Sequence, residues 1–285
     1  MLFRSEAVPR VLDGQRLRQR GPCPTLTDSE VLTMEVVGEY LGLGQDSALF
    51  AYFRCHYVHF FPALRTLHRT TFVRQAANLW RLKERLWQEL LDAVPHDPTF
   101  AIIDSFPLPA CQFARAYRCH RFRGEAAFGK DTLVCQTFYC LRVHVRLEWP
   151  GVITRICVAP ANVHELTVLP ALAELTVRTL VGDRNYWSPA TTAEWQLHSV
   201  ELLAPYRSAK RDPHPRWSTV LSRVRSRIDT VFGQLVSRCA VKQVWARDSW
   251  HLCSRLLRKV LMYTLTVLLN VELGNPPLQL AQLTA

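Results

Sequence analysis

The stretch TFAIID, residues 99–104, marks the point where the sequence changes from a helical to a strand-like pattern. It is a short apolar run that ends in an acid, which is typical of a buried strand. Residues 1–95 before it are predicted to be all-helical, whereas strands and helices follow each other after it. We therefore expect a helical N-terminal module over residues 1–95 and an α/β domain over residues 96–285.

The segments after this stretch predict the architecture of the second domain. Residues 133–149 alternate over a long strand pair or a single bent strand, and three further strands are predicted at 152–159, 179–183 and 200–205. Helices are predicted from an Asn162 and Glu165 cap to about residue 176, from Ser188 to about 198, and across 223–235. This order predicts a mixed sheet with helices on both faces.

The segments before residue 96 contain strong signals for helices. Thr27 and Glu30 form a capping box, and Gly42 and Gly44 end the helix that it begins. The residues expected to form its buried stripe are Val31, Met34, Val37 (or Val36) and Leu41. Further helices are predicted at 46–56 and 70–93. A basic helical module of this kind either docks on DNA or serves only as a scaffold, and the sequence favours neither.

Charge and amino-acid usage favour an anionic partner. The chain has 35 Lys and Arg residues against 24 Asp and Glu residues, a net charge of +11, and only five of the basic residues are lysines. Arginine suits bidentate contact with phosphate, which points to double-stranded DNA. A genome rich in G and C would also favour arginine codons, so the bias alone does not establish DNA binding.

Cysteine usage and hydropathy predict a reduced, cytoplasmic protein. The nine cysteines are an odd number, they include no C-x-x-C pair, and the N-terminus lacks the apolar region of a signal peptide. Cys111, Cys119 and His120 lack a fourth ligand at a conventional spacing, so we expect no zinc site there. The apolar residues 260–273 are too few for a membrane span and predict a buried C-terminal helix.

Three aspartates are the candidate catalytic and metal-binding residues. Asp104 and Asp183 each end a predicted strand, and Asp229 lies among arginines on the last long helix. Strand ends gather ligands in such sheets, and carboxylate oxygens suit Mg²⁺ or Mn²⁺. Each acid also has a simpler interpretation: Asp104 as a turn residue, Asp183 as a cap, and Asp229 as the i+4 ion-pair partner of Arg225.

The helix that carries Asp229 has an apolar stripe. Its members are Val220, Val224, Ile228, Val231 and Leu235, at spacings of four, four, three and four. This places Asp229 and Arg225 at the edge of the stripe, close to the sheet. Arg223 and Arg227 fall on another face, where they either contact DNA phosphates or form a solvated basic surface.

Other basic residues cluster in two segments, 115–130 and 206–217, in which arginines alternate with aromatic or polar residues. Flexible solvated loops have a similar composition. The candidate DNA-binding residues are Arg115, Arg118, Arg121, Arg123, Lys130, Arg184, Arg207, Lys210, Arg211, Arg223, Arg225 and Arg227. Trp187 either stacks on a base or belongs to the core, and His164 is expected to be exposed beside its helix cap.

Five segments carry a family resemblance: TLTDSEVLTMEVVGEYLGLG, AIIDSFPLPAC, VITRICVAPANVHE, LVGDRNYW and RSRIDTVFGQL. In this order they resemble the insertion-sequence 982 family of DDE transposases over nearly the whole chain. The resemblance implies a ribonuclease-H-like core, two Mg²⁺ or Mn²⁺ ions, and a homodimer on DNA. It also implies cleavage at the ends of a mobile element and transfer of the freed 3′ hydroxyls to target DNA.

Residue by residue, Asp104 matches the first acid of the family and Asp183 the second. Asp229 stands where a glutamate is usual, which shortens the side chain by about 1.5 Å. Arg184 and Asn185 replace a Lys-Gly pair and keep its charge and its backbone freedom. We expect a bacterial, nucleoid-associated Asp-Asp-Asp transposase. The alternatives are a nuclease of the same fold without strand transfer and a DNA-binding protein that has lost catalysis.

Overall fold

The computed structural model describes residues 23–131, 136–173 and 177–280. The chain forms two compact units. The helical unit combines the residues up to Val94 with those from Leu235, and the sheet unit is Pro95–Gln234. The described residues from Leu235 onward pack with the N-terminal helices. The division into domains 1–95 and 96–285 stays a prediction.

The described residues form eight α-helices and six strands. The helices are α1 (Asp28–Tyr40), α2 (Asp46–His56), α3 (Arg69–Asn78), α4 (Trp80–Ala93), α5 (Glu165–Leu172), α6 (Pro189–Leu197), α7 (Pro215–Ser237) and α8 (Ser249–Glu272). The strands are β1 (Asp97–Pro109), β2 (Ala127–Asp131), β3 (Gln136–Trp149), β4 (Val152–Pro160), β5 (Thr179–Val181) and β6 (Glu201–Leu203).

The sheet is mixed, as predicted. Strand β1 is central, antiparallel to β3 on one side and parallel to β5 on the other, and β6 extends the sheet beyond β5. Both β2 and β4 pair antiparallel with β3. Strand β2 pairs with the first residues of β3, and β4 pairs with the residues of β3 that follow. This mixed sheet flanked by helices is compatible with the ribonuclease-H-like fold, so the predicted fold class is confirmed.

The limits of several elements differ from the prediction. The alternation predicted over 133–149 is one strand from Gln136, and its pairing partner at the start is the separate strand β2; residues 133–135 lie outside the described residues. Helix α5 ends at Leu172 rather than near 176, and residues 174–176 also lie outside the description.

Side chains of β1 alternate between the two faces of the sheet, and this alternation positions the candidate site. Ala101 and Ile103 belong to a core that also contains residues of α5. On the opposite face, the Phe106 ring packs edge-on against Phe232 of α7, with ring centroids 4.9 Å apart. Asp104 lies between these positions on the α7 side, since side chains two residues apart on a strand share a face.

In the helical unit, α1 begins with the predicted capping box at Thr27 and Glu30. The predicted apolar stripe is correct for Val31 and Met34, which are buried, but Val37 and Leu41 are exposed and the alternative Val36 is only half-buried. Glu35 and Glu39 are buried instead. The reason is that basic side chains of α4 and α8 pair with these two acids inside the unit. The ion pairs are Lys83–Glu35, Arg258–Glu39 and Lys259–Glu39.

The helix predicted over 70–93 is two helices that meet at Leu79. This residue is fully buried, and its N–H bonds the carbonyl of Ala76 three residues back, which closes α3 before α4 begins. Helix α8 contains the apolar residues from 260 and is buried, as predicted. Among the described residues, no helix combines the length and the apolar character that a membrane crossing requires. Residues 1–22 of the predicted helical module lie outside the description.

Candidate active site

Asp104 is a buried carboxylate near the middle of β1, with 8% of the residue exposed. Its Oδ1 accepts a hydrogen bond from the Ser105 N–H at 2.8 Å, and its Oδ2 accepts one from Arg225 Nη1 at 2.5 Å. Burial raises the pKa of Asp104 to about 7, and the charges of Asp183 and Asp229 act in the same direction. Arg225 opposes this shift without cancelling it.

Asp183 follows β5 at the position that the parallel register sets beside Asp104. Ile102 of β1 pairs with Val181 of β5, so the two acids each stand two residues further along adjacent strands. Burial, and after it the charge of Glu165, raises the pKa of Asp183. The register therefore brings the first two predicted acids to one edge of the sheet.

Asp183 also caps the 3₁₀ turn Arg184–Tyr186, as the simpler interpretation expects. Its Oδ1 accepts from the Asn185 N–H at 2.8 Å and its Oδ2 from Asn185 Nδ2 at 3.0 Å. Gly182 is required just before it, because an added Cβ there would lie 2.7 Å from the Tyr186 ring. The turn thus holds Asp183 in a fixed orientation.

Asp229 lies on α7, and its side chain is 56% exposed. Arg225 Nη2 is 3.7 Å from its Oδ2, so the i+4 pair foreseen as the simpler interpretation is present. The stripe on α7 was predicted incorrectly at its start: Val220 is exposed, and Ser218 and Leu221 are buried in its place. Ser218 is turned inward because its Oγ accepts a hydrogen bond from the Tyr206 N–H.

The guanidinium of Arg225 lies between Asp104 and Asp229 and neutralises part of their charge. In the described part of the chain, no group of three or more His, Cys, Asp or Glu side chains is arranged to hold a metal ion as it stands. The chemistry of the donors nevertheless suits a hard divalent cation, since all are carboxylates, and burial and then the neighbouring acids raise the pKa of Asp104. Arg225 supplies positive charge where such a cation would be favoured.

Glu165 is a fourth carboxylate of the site, which the sequence analysis treated only as part of a helix cap. The structure corrects that cap: His164 is the N-cap of α5 and bonds the Leu166 N–H, and Glu165 is buried. Its Oε1 accepts from Ser105 Oγ at 2.9 Å and from Arg142 Nη1 at 2.7 Å. A strand followed closely by an acid at a helix start was the available signal.

Two further polar side chains lie behind the acids. The Tyr186 hydroxyl and both ring nitrogens of His144 are buried without a hydrogen-bond partner among the described residues. Burial lowers the pKa of His144 to about 4, so its ring is neutral at pH 7. Burial and the charges of Glu165, Asp104 and Asp183 raise the pKa of Tyr186, which therefore stays a neutral phenol. Both side chains are thus neutral neighbours of an acidic site.

The candidate DNA-binding residues fall into two groups. The exposed ones are Arg115, Arg118, Arg123, Lys130, Arg207, Lys210, Arg211 and Arg223, and the half-buried ones are Arg121, Arg184, Arg225 and Arg227.

Three of the half-buried arginines have partners within the sheet unit. Arg184 Nη1 donates to the Tyr206 carbonyl, Arg227 lies 5.2 Å from the Trp149 ring centroid, and Arg225 binds Asp104. Trp187 is half-buried and packs edge-on against Tyr206 at 4.7 Å.

The sheet order and the flanking helices define an α/β unit of the ribonuclease-H-like class, with carboxylates from β1, the end of β5 and α7 directed to one region. A family model described as Transposase DDE domain matches residues 96–249, more than half of the chain. The chain belongs to this family and is a DDE transposase, a class of enzymes that generally use divalent metal ions. Searches of curated proteins and of solved structures gave no match.

Proposed function

We propose that this transposase cleaves DNA at the ends of an insertion sequence and transfers the freed 3′ hydroxyls to target DNA. The observation that carries the proposal is geometric: the β1–β5 register sets Asp104 beside Asp183, and Arg225 bonds Asp104 and lies 3.7 Å from Asp229. Carboxylates from three separate elements thus lie near one another. The proposal places the chain in the insertion-sequence 982 family, as the five sequence segments suggest.

Asp104, Asp183 and Asp229 would hold two Mg²⁺ or Mn²⁺ ions. When bound, such ions activate the attacking oxygen and stabilise the leaving oxygen in phosphodiester cleavage. Asp104 and Asp183 fit this role because burial disfavours their charged forms and a bound cation would favour them. Mg²⁺ demands near-ideal octahedral geometry, so the shorter Asp229 makes the third ligand the sensitive one.

The remaining residues of the site position these acids. Arg142 and Glu165 together hold Ser105, whose N–H in turn bonds Asp104, so the backbone at the first acid is fixed. Arg225 bonds Asp104 Oδ2 and lies 3.7 Å from Asp229 Oδ2, so it holds these two acids and compensates part of their charge. The Asn185 hydrogen bonds orient Asp183.

The exposed basic residues of segments 115–130 and 206–217 supply the proposed contacts to DNA phosphates, together with Arg223. Because two element ends must be joined, the active form on DNA is a homodimer. Because its substrate is DNA, the proposed location of the protein is the bacterial nucleoid.

The test is incubation of the purified chain and Mn²⁺ with DNA that carries the inverted repeats flanking its own gene. We expect nicked ends and joined products, and neither with Asp104→Asn. Cleavage without joined products would instead support a nuclease of the same fold.

The pairing of Arg225 with Asp229 favours a second candidate, a DNA-binding protein that has lost catalysis. DNA binding without cleavage in Mn²⁺ or Mg²⁺ would support this candidate and contradict the transposase mechanism.

A further inference from the structure

The helical unit contains a second basic site, an open cavity of about 390 Å³ that we name the arginine pocket. Arg69 at the start of α3, Arg255 of α8, and Arg247 and Trp245 from the segment before α8 line it, with Asp46 and Ser47 of α2. The volume lies within the roughly 300–1,000 Å³ range of small-molecule sites. The lining residues all belong to the helical unit, so the pocket is separate from the acids described above.

Asp46 is the single acid among the described lining residues, and its charge is already compensated. Arg255 Nη2 and Nε bond one carboxylate oxygen at 2.5 and 3.1 Å, and Arg258 Nη1 bonds the other at 2.8 Å. These two guanidiniums lower the pKa of Asp46 against the effect of burial. The acid therefore orients Arg255 and leaves no net negative charge in the pocket.

Arg69 and Arg247 carry the surplus positive charge of the pocket. Both are exposed, and neither makes a hydrogen bond or ion pair within the part of the chain that the structure describes. Two uncompensated guanidiniums in one concave site repel each other, and an anion between them removes that cost. Their fork of donors matches the oxygens of a phosphate.

Two features beside these arginines extend the match from phosphate to a nucleotide. The N-cap of the 11-residue helix α2 is Gln45, which lies at the pocket and whose side chain makes no capping hydrogen bond. The first N–H groups of the helix, including that of Ser47, are thus available to an anion. Trp245 is 59% exposed at the same pocket, and an exposed indole offers a face on which an unpaired base stacks.

We propose that the arginine pocket binds one phosphate of an unpaired DNA strand, with the adjacent base stacked on Trp245. The choice of DNA as the anion rests on the proposed function, whereas the phosphate chemistry rests on the pocket alone. The pocket gives the helical unit a DNA contact of its own, distinct from the acids of the sheet unit.

The experiment measures the affinity of the full chain for a fluorescein-labelled single-stranded oligonucleotide over a series of salt concentrations in EDTA. Each lost phosphate contact lowers the magnitude of the slope of log K against log salt by about 0.7 for single strands. We expect this change for Arg69→Ala and for Arg247→Ala. Trp245→Ala should weaken binding about fivefold or more without a change of slope, and Trp245→Phe should restore most of the affinity.

The matched control is Arg74→Ala, which removes an exposed arginine from α3 that does not line the pocket. We expect its affinity and slope to equal those of the wild type. Equal slope changes in the control and the pocket variants, or unchanged affinity in Trp245→Ala, would overturn the proposal. The proposal would also be overturned if the variants bound DNA like the wild type while inorganic phosphate raised the melting temperature of the wild type but not of Arg247→Ala. The pocket would then be a site for the free anion.

Two further measurements separate this proposal from the others. Thermal unfolding of each variant tests folding, which we expect to be unchanged because the substituted side chains are exposed. Asp104→Asn should bind the oligonucleotide like the wild type, because the assay contains no divalent ion. If the wild type cleaves no DNA but the pocket variants show the expected affinities and salt slopes, the proposed function is contradicted and the arginine pocket remains supported.

Discussion

At the scale of single residues, Arg225 links two of the three proposed ligands. One guanidinium nitrogen bonds Asp104 and the other lies 3.7 Å from Asp229, which is more than half exposed. Asp229 is thus either a metal ligand that Arg225 keeps in place or only its surface partner. Substitution at Asp229 distinguishes these roles, because a surface ion pair is worth at most about 1 kcal/mol.

The first prediction is that Asp229→Asn lowers metal-dependent nicking of an end-containing duplex by more than about a hundredfold, since a neutral amide is a poor ligand for Mg²⁺. Asp229→Glu should retain activity, and it should exceed the wild type in Mg²⁺ if the shorter side chain holds the metal loosely. The measurement compares the three proteins at equal DNA occupancy. Equal nicking by all three would leave Asp229 as the partner of Arg225 alone.

The second prediction concerns Asp104 and pH in the absence of metal. Its pKa is about 7 in the folded chain against 3.8 for the ordinary group, so the folded state holds the proton more tightly. The stabilising contribution of that proton is fully present below about pH 4 and is lost as pH rises through about 7. When the pH rises from 5 to 8, the wild type should therefore lose roughly 2–4 kcal/mol of unfolding free energy relative to Asp104→Asn, which has no such proton to lose.

Urea unfolding of both proteins in EDTA at the two pH values measures this difference. Thr137→Ala, a change on the exposed side of β3, serves as a control whose pH dependence should match the wild type. A difference between wild type and Asp104→Asn that does not vary with pH would show that Asp104 ionises in the folded chain without cost.

At the scale of elements, helix α7 has one apolar stripe that joins it to the sheet. Ile228 and Val231 are fully buried, and Phe232 packs on Phe106 of β1. Val220, on the same helix, is 46% exposed. The same Val→Ala substitution can therefore be compared at a buried position, Val231, and at an exposed one, Val220.

The third prediction is that Val231→Ala lowers the free energy of unfolding by about 2 kcal/mol, because two buried methyl groups are lost and a cavity remains. Val220→Ala should change it by less than about 0.5 kcal/mol. Chemical denaturation of the two variants gives the comparison. Equal effects would mean that α7 does not pack through this stripe.

Sequence periodicity could predict the elements but not every buried face. The register of β1 with β5, which sets Asp104 beside Asp183, follows from the order of apolar runs and their terminal acids. The place of Glu165 at a helix start just after a strand was a signal for the site, but its burial did not follow from that signal, because its partners Ser105 and Arg142 lie on strands 60 and 23 residues away. A pattern of apolar spacing carries no information about such polar pairs.

At the scale of the whole molecule, the helical unit is closed by charges from distant parts of the chain. Arg258 is fully buried and contacts Glu39 at 2.8 Å and Asp46 at 2.8 Å, more than 200 residues earlier in the sequence. Lys83 contacts Glu35 and the Ser254 hydroxyl in the same interior. The stripe predicted for α1 contained only apolar residues, because periodicity ranks residues by hydropathy and cannot anticipate compensated charges.

The fourth prediction is that Arg258→Leu destabilises the folded chain by about 3–5 kcal/mol, because it leaves buried carboxylates without a counter-charge. Arg238→Ala, which removes an exposed arginine from the same unit, should cost less than about 0.5 kcal/mol. Thermal unfolding monitored by circular dichroism is the measurement. A melting temperature of Arg258→Leu equal to that of the wild type would contradict the role assigned to the network.

The discontinuity of the helical unit has a consequence for biosynthesis. The ribosome adds Glu35, Glu39 and Lys83 long before it adds Arg258 and Lys259, and at roughly 5–20 residues per second the intervals are about 9–45 seconds. During that time the sheet unit, which is continuous from Pro95 to Gln234, can complete its folding on the nascent chain. Until Arg258 and Lys259 have been added, Glu39 has no partner among them and stays hydrated. The helical unit, whose first helices are synthesised first, therefore completes its folding last.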